Sequence, residues 1–401
     1  MNRLLRAHAP LASVLLALAL LLLWHGEAAA LDPGCEEGEH LDGAGYLICM
    51  PNTWNGELLI YVYGYVSPTA PVEIPPEQLQ PAGSAVSINQ FATEQGYAFA
   101  ASDYGSNGLS VQTALVHIDD LVTTFTALKG APSRVLLLGV SEGGLTAALA
   151  LEQRPDLYAG GLALCGSYGD FAAQTDYMGD VRVLFDYYFP DVIPGSPVAI
   201  PQTLVDTWET GFYTDTVRPV ITAPENAATV EELLTVAGVA HDAGDTDAQV
   251  AALETLLWYN VIGTNDASAK LGGQPFNNQG RVYSGSADDD ALNAAVARFT
   301  ADTAARATIA ADYTSSGKLA VPFVTMHTVR DPTVPYAQAT IYGEKVAAMG
   351  RTAFYTHIPV DATGHCAFGL FDLLNAVTTL RNAVAAPPAV PDEVYLPLAA
   401  K

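Results

Sequence analysis

The sequence predicts an α/β protein with a mostly parallel sheet and helices on both faces. Short apolar runs at residues 58–63, 97–101, 135–140 and 160–165 predict strands, and residues 111–128 have the periodicity of a helix. Strands that alternate with helices are typical of parallel sheets, because each parallel connection needs a crossover. The first part of the chain therefore predicts one layer of strands covered by helices.

The predicted alternation stops near residue 166 and resumes near residue 319. The intervening segment has helical and loop sequence with aromatic-rich stretches at 177–189 and 256–259. We therefore expect a core of residues 31–166 and 319–385, interrupted by a mainly helical lid or cap of residues 167–318. The second block predicts a strand at 319–326, a helix at 336–349, a strand at 353–359 and a helix at 368–384.

Both ends of the chain differ in composition from the predicted core. Arg3 and Arg6 precede an apolar run at residues 11–23, and small residues end at Ala30. This pattern predicts a signal peptide of residues 1–30 that is cleaved near Ala30, and hence a secreted or extracytoplasmic protein. No later stretch approaches twenty apolar residues, so we expect no membrane span in the mature chain. Residues 386–401 form a Pro-rich C-terminal tail.

The charge and cysteine content restrict the partners. A formal net charge of -26, with 43 acidic residues against 17 Lys and Arg, excludes nucleic acid, whose phosphates would be repelled. The four cysteines lack zinc-type spacing and favour disulfides in an exported chain. Cys35 and Cys49 bracket a predicted hairpin.

No metal or cofactor is expected. The acidic cluster formed by Asp242, Asp245 and Asp247 lacks the pattern of a calcium loop and favours a helix start.

The most informative motif surrounds Ser141. The sequence Gly139-Val140-Ser141-Glu142-Gly143 follows the predicted strand 135–140 and precedes a helix-prone segment. A serine between a strand and a helix, with small neighbours on each side, is typical of a nucleophile elbow. The glycines allow a strained turn that raises the serine Oγ above the sheet.

With this motif the chain resembles the α/β-hydrolase family, and in particular secreted serine esterases and lipases. In that family the nucleophile, the acid and the histidine follow one another along the chain. Asp331, after the predicted strand 319–326, and His365, after the strand 353–359, match this order. The resemblance implies an α/β-hydrolase fold with a Ser141, His365 and Asp331 triad, in which the imidazole takes the serine proton and the carboxylate orients the imidazole.

Other residues compete for these roles. Asp361 is the alternative acid, but it is only four residues before His365, a spacing that suits a loop contact. His327 and His357 are alternative bases, yet both fall in or beside strands, where a structural histidine is commoner. His117 and His241 have no evident partner in the sequence.

The tetrahedral intermediate of acyl transfer also needs hydrogen-bond donors for its oxyanion. We expect one from the backbone N–H of Glu142 and the other from the backbone N–H of Tyr65. Tyr63-Gly64-Tyr65 resembles the family's His-Gly-x turn, with Tyr63 in place of the usual histidine. The alternative is a plain turn at the end of a strand.

Cys366 directly follows the candidate histidine. Related feruloyl esterases and tannases carry a cysteine there, bridged to a cysteine before the nucleophile, but here Val140 precedes Ser141. Cys165 ends the next predicted strand and is the substitute that the resemblance suggests. The sequence leaves open a Cys165–Cys366 bridge or two buried free thiols.

The sequence allows three functions. The first is a secreted serine hydrolase that cleaves small-molecule or polymer esters through an acyl-enzyme. The second is an aminopeptidase that resembles proline iminopeptidases, whose lids use acidic residues to hold a substrate amino terminus. The third is a catalytically inactive hydrolase fold that serves in binding.

Overall fold

The protein contains one eight-stranded sheet, seen in a computed structural model that describes residues 34–80 and 86–389. Strand order is β1-β2-β4-β3-β5-β6-β7-β8, and only the β1/β2 and β2/β4 pairs are antiparallel among the paired strands described. The predicted signal peptide and most of the predicted tail lie outside the described residues. The strands are β1 (Cys35–Glu39), β2 (Gly45–Cys49), β3 (Glu57–Val62), β4 (Ala98–Ser102), β5 (Arg134–Val140), β6 (Gly160–Leu164), β7 (Phe323–Arg330) and β8 (Tyr355–Thr363).

This topology confirms the predicted fold class. The central strands β4 and β6 are buried along their whole length, as expected for a parallel sheet covered on both faces. The prediction that a strand begins at Leu319 was wrong, because β7 begins at Phe323. Pro322 directly precedes β7 and has no N–H for a ladder hydrogen bond. β8 continues past the predicted end to Thr363.

Helices cover both faces of the sheet. Those of the core are α1 (Pro76–Leu79), α2 (Ile88–Glu94), α3 (Val111–Lys129), α4 (Glu142–Gln153), α12 (Ala337–Ala348) and α13 (Leu370–Ala385). In α3 the buried residues Ala114, Ile118, Leu121 and Phe125 recur every three or four positions, the spacing of one helix face. The sequence periodicity therefore located this helix to within one residue.

The segment between β6 and β7 is helical. It contains α5 (Phe171–Tyr188), α6 (Gln202–Thr207), a π-helix (Trp208–Val217), α7 (Arg218–Ile221), a 3₁₀ turn (Pro224–Asn226), α8 (Ala227–Val236), α9 (Thr246–Leu271), α10 (Asp289–Ala295) and α11 (Thr303–Asp312). We call this segment, residues 165–322, the insertion, because β6 and β7 are paired neighbours. As predicted, Asp245 begins a helix, as the N-cap of α9, and Asp288 caps α10 in the same way.

Most of the insertion packs around its own hydrophobic cluster, which includes Val181, Phe185, Leu233 and Leu257. Other side chains of the insertion pack against the core instead. Leu271 from the end of α9 and Ile309 and Tyr313 from α11 belong to the cluster that packs on the sheet. The insertion is therefore anchored to the core through buried side chains at its C-terminal end.

Two disulfides are present among the described residues. Cys35–Cys49 joins the paired strands β1 and β2, as the hairpin pattern predicted. Cys165–Cys366 joins the end of β6 to the loop after β8, so the bridge is confirmed and the two free thiols are not. No helix in the described ranges is both long and apolar enough to cross a membrane.

Candidate active site

Ser141 occupies a sharp turn between β5 and α4. Its backbone φ of 54° lies in the left-handed region, which is strained for a residue with a Cβ. The two flanking glycines make this turn sterically possible. A Cβ on Gly139 would lie 2.2 Å from the carbonyl oxygen of Gly143, and a Cβ on Gly143 would lie 2.0 Å from the carbonyl oxygen of Val62. The turn therefore has the geometry predicted for a nucleophile elbow.

The three candidate residues form one chain of hydrogen bonds. The distance between Ser141 Oγ and His365 Nε2 is 2.9 Å, and that between His365 Nδ1 and Asp331 Oδ2 is 2.8 Å. Asp331 directly follows β7 and His365 follows β8, so the carboxyl ends of neighbouring parallel strands bring them together. A carboxylate only accepts hydrogen bonds, so Nδ1 donates and Nε2 is left to accept from the serine hydroxyl.

Asp331 is held as an ionised, oriented acceptor. It is 1% exposed, and its Oδ1 accepts hydrogen bonds from the backbone N–H groups of Thr333 at 2.8 Å and Val334 at 3.0 Å. Burial acts to raise the pKa of Asp331, but the charge on protonated His365 and hydrogen bonds from His327 and His365 lower it to about 2. The carboxylate of Asp331 therefore stays charged at neutral pH.

The alternative acid and bases lie elsewhere. Asp361 pairs with Arg330 at 2.7 Å on the surface. His357 bonds Thr325 and Tyr336, and burial, followed by the charge of His327, lowers its pKa to about 4. His117 pairs with Asp42, and His241 faces a backbone carbonyl.

His327 has a place that the sequence did not predict. The side chain is fully buried. Its Nε2 lies 2.9 Å from the carbonyl oxygen of Val334 and 3.4 Å from Asp331 Oδ2. It thus packs against the same carboxylate oxygen, Asp331 Oδ2, that His365 contacts. The sequence signal was only its spacing of four residues before Asp331.

The loop after β3 lies against the candidate nucleophile. A Cβ on Gly64 would lie 3.0 Å from the Cβ of Ser141, so any larger residue at this position would crowd the candidate nucleophile. Gln78, which the sequence did not single out, holds the loop from both sides. Its Oε1 accepts from the N–H of Gly64 at 2.7 Å, and its Nε2 donates to the carbonyl of Tyr65 at 3.3 Å.

The two predicted oxyanion donors belong to the residues that follow this contact: Glu142 follows Ser141, and Tyr65 follows Gly64. In the described part of the chain, neither the backbone N–H of Tyr65 nor that of Glu142 has a hydrogen-bond acceptor. The side chain of Tyr63, which replaces the family's histidine, stacks on Tyr104 with ring centroids 4.3 Å apart. The substitution therefore fills the core and leaves the backbone of the turn beside Ser141.

Comparisons with known proteins find only distant similarity. No protein-family model matches the chain, and no curated protein matches its sequence. The strand order, the elbow and the acid and histidine after successive strands decide the fold. The chain has the α/β-hydrolase fold.

Three solved structures with this fold are similar. Feruloyl esterase B from Aspergillus oryzae is 15% identical with a TM-score of 0.45, over 88% of this chain and 80% of that one. Candida antarctica lipase A is 18% identical with a TM-score of 0.44, over 86% and 75%. Pyrococcus horikoshii acylaminoacyl peptidase is 12% identical with a TM-score of 0.42; 88% of this chain covers 41% of that longer chain. These distant similarities assign no substrate.

A cavity of about 150 Å³ lies between the core and the insertion. Ser141 and Glu142 contribute to its wall from the core. The insertion contributes mostly apolar or neutral side chains, among them Phe171, Gln174, Met178, Val198, Tyr259 and Phe276. Glu142 is the only charged side chain among the residues that line this cavity. The core thus contributes the candidate nucleophile, and the insertion contributes most of the residues that line the cavity.

Glu142 is tied to the core rather than to the insertion. Its Oε1 accepts hydrogen bonds from the N–H and the hydroxyl of Ser110, both at 2.9 Å. Burial raises the pKa of Glu142 to about 7, although these two bonds act in the opposite direction. The carboxyl group beside Ser141 therefore changes charge near neutral pH.

The Cys165–Cys366 disulfide fixes the loop that carries His365. Sulfur atoms of both cysteines and a ring nitrogen of His365 lie within 4.8 Å of one another, the only cluster of potential metal ligands among the described residues. Because both sulfurs are bonded to each other, this cluster lacks the thiolates that bind metals.

Proposed function

We propose that this chain is a secreted serine hydrolase that cleaves carboxylic esters through an acyl-enzyme intermediate. The observation that carries the proposal is the continuous hydrogen-bond chain from Ser141 Oγ through His365 to Asp331. It begins at the wall of a largely apolar cavity. This arrangement has the parts that acyl transfer needs: a nucleophile, a base, an orienting acid and a neighbouring space for the acyl group.

In the proposed first step Ser141 Oγ attacks the ester carbonyl carbon while His365 Nε2 takes the hydroxyl proton. The carbonyl π electrons move to oxygen, and the backbone N–H groups of Glu142 and Tyr65 donate hydrogen bonds to the resulting oxyanion. Asp331 stays ionised and stabilises the imidazolium. When the oxyanion collapses, the ester C–O bond breaks and His365 returns the proton to the leaving alcohol.

The second step repeats the chemistry with water. His365 Nε2 removes a proton from water as the water oxygen attacks the acyl carbon. Collapse of this second oxyanion releases the carboxylic acid and returns the proton to Ser141 Oγ. The base must be neutral at the start of each half-reaction, so activity is expected to rise as His365 loses its proton.

The cavity favours an ester over a peptide held by its amino terminus. The insertion contributes no acidic side chain to the cavity wall, whereas capture of an amino terminus needs acids there. Asp266, an acid of α9, is instead engaged by Lys270 at 2.9 Å and by the N–H of Leu109 at 2.7 Å. A largely apolar wall suits an uncharged acyl group.

The location and the role of the insertion are part of the proposal. Two disulfides suit an oxidising compartment, in agreement with the signal-peptide pattern at residues 1–30. Because the insertion forms most of the cavity wall, we assign it the role of a lid that selects the acyl group.

A direct assay tests the proposal. Purified mature protein is supplied with p-nitrophenyl acetate and butyrate, and separately with alanyl and prolyl anilides, and Ser141→Ala serves as the control. We expect turnover of the esters that Ser141→Ala abolishes. Turnover of the anilides alone would establish the aminopeptidase instead, and no turnover of either class by correctly folded protein would favour the binding function.

A further inference from the structure

The cavity beside Ser141 contains two buried polar atoms without hydrogen-bond partners. They are the side-chain oxygen of Gln174 and the hydroxyl of Tyr65. Both residues line the cavity, one from the insertion and one from the core. A buried polar atom without a partner costs about 1–3 kcal/mol, so two such atoms on one cavity wall call for an explanation.

One hydrogen bond fixes the orientation of the Gln174 side-chain amide. Its Nε2 donates to the carbonyl of Thr333 at 2.9 Å, in the loop whose N–H groups hold Asp331. The residue is 7% exposed, and this bond determines which end of the amide is the oxygen. The remaining Oε1 only accepts hydrogen bonds. It therefore needs an O–H or N–H donor and gains nothing from an ether, a halogen or an alkyl group.

Tyr65 brings its hydroxyl to the same cavity from the loop after β3. Its ring packs edge-on against Tyr259 and Trp258 of α9, with centroids 5.4 Å and 6.0 Å away. Gly263 of α9 provides space for the hydroxyl, since a Cβ there would lie 3.0 Å from the Tyr65 oxygen. A phenol both donates and accepts, so this atom can bond a hydroxyl group in either direction.

Substrate binding determines whether these atoms have partners. Both atoms are shielded from bulk water, so a group bound in the cavity has to offer them a partner. An acyl group that carries a hydroxyl offers one, and an acyl group without a polar atom leaves both unpaired. The cavity, at about 150 Å³, is of the size that holds one benzene ring. An acyl group of about six carbon atoms would fill this space.

We propose that the cavity selects a short acyl group that carries a hydroxyl, and that Gln174 and Tyr65 bind this hydroxyl. The proposal rests on the ester hydrolysis proposed above and adds the class of acyl group. The hydroxyl donates to Gln174 Oε1 or exchanges a hydrogen bond with the phenol of Tyr65. Hydroxybenzoyl and short hydroxyalkanoyl esters share this chemistry.

The test compares matched pairs of esters. One pair is methyl 4-hydroxybenzoate and methyl benzoate, and the other is methyl 3-hydroxybutyrate and methyl butyrate. Each kcat/KM is divided by the rate constant of the same ester with hydroxide, which removes differences in intrinsic reactivity. The wild-type protein is expected to favour the hydroxylated member of at least one pair by about tenfold or more. The pair with the larger ratio identifies an aromatic or an aliphatic acyl group.

Two variants separate recognition from structure. Tyr65→Phe removes a hydroxyl that has no protein partner, and we expect it to reduce the preference several-fold without destabilising the protein. Tyr63→Phe is the matched control, because the Tyr63 hydroxyl is also buried without a partner but Tyr63 does not line the cavity. Tyr63→Phe should leave the ratio unchanged. Gln174→Met should lower the ratio, in addition to any common loss for both esters through the Thr333 loop.

Three results would overturn the inference. The first is a normalised kcat/KM ratio near one in both pairs of esters. The second is an equal effect of Tyr65→Phe and Tyr63→Phe on this ratio. The third is a loss of kcat/KM in both Tyr65→Phe and Gln174→Met that is the same for hydroxylated and plain esters. In each case the esters are still hydrolysed and the proposed function stands. Absence of hydrolysis of all four esters and of p-nitrophenyl butyrate would instead count against the proposed function itself.

Discussion

The rim of the sheet and the insertion contribute to the same cavity in different ways. At the rim, Ser141, His365 and Asp331 are joined by hydrogen bonds of 2.8 and 2.9 Å, and a disulfide fixes the histidine loop. The insertion adds no charged side chain to the cavity wall. In the proposed function the rim performs the chemistry, and the insertion determines which acyl group fits. Substitutions in the two regions should accordingly affect different kinetic quantities.

The largest effect is expected from the nucleophile and the base. Ser141→Ala removes the attacking atom and should lower kcat for p-nitrophenyl butyrate by about 10⁴-fold or more. His365→Ala should be nearly as damaging, and the double variant should be no worse than either, because the two groups act as a unit. Steady-state kinetics with circular dichroism as a folding control provide the check. Substantial activity in Ser141→Ala would remove the distinction between the rim and the insertion.

The next largest effect is expected from the acid. Asp331→Asn should lower kcat by about 10³- to 10⁴-fold, less than the loss of the nucleophile, because the acid orients and stabilises the imidazole. Asp361→Asn, the surface alternative, is the matched control and should retain nearly full activity. If the two variants exchanged these outcomes, the assignment of the acid would be wrong.

Asp331 should also affect acid stability. Folding lowers its pKa from 3.8 to about 2, so the ionised carboxylate stabilises the folded state above about pH 4. This contribution, about 2 kcal/mol, is lost as the pH falls through 2. Urea unfolding of wild type and Asp331→Asn between pH 5 and pH 2 measures it. The difference between the two proteins should shrink toward low pH, and a constant difference would contradict the assigned pKa.

A smaller effect is expected in the insertion. Met178→Ala enlarges the cavity at a partly buried position, so the ratio of kcat/KM for p-nitrophenyl octanoate over butyrate should rise roughly tenfold. Val236→Ala, which packs on the insertion cluster without lining the cavity, should leave that ratio unchanged. An equal shift in both variants would show that the insertion acts through its stability and not through the cavity wall.

The smallest effect is expected from Glu142. Its pKa is raised from 4.5 to about 7, so ionisation disfavours the folded state, and this cost appears as the pH rises from about 4.5 to 7. Glu142→Gln should therefore stabilise the protein more at pH 8 than at pH 5. Glu73→Gln, at an exposed loop carboxylate, is the control. Equal effects at both pH values would rule out titration of Glu142 in this range.

The sequence predicted the rim better than the insertion. Ser141, Asp331 and His365 each follow a strand, so strand positions and the family's residue order were enough to bring them together. The contacts of Gln78 escaped prediction because they depend on how α1 packs against the loop after β3. His327 was expected to be a structural histidine, but its contact with Asp331 depends on how the chain turns after β7. Gln174 was missed for the same reason, since its partner Thr333 lies 159 residues away. The anchoring of α11 in the core cluster had no sequence signal either, because apolar periodicity does not say which cluster a helix joins.

Covalent trapping tests the central claim most directly. A p-nitrophenyl alkylphosphonate reacts with an activated serine and releases p-nitrophenolate, and peptide mass mapping then locates the phosphonyl group. We predict one phosphonyl group per chain on Ser141, formed at a rate that His365→Ala lowers by orders of magnitude. An ester-hydrolysing protein that carries the label on another residue, or that stays unlabelled, would contradict the acyl-enzyme mechanism assigned to Ser141.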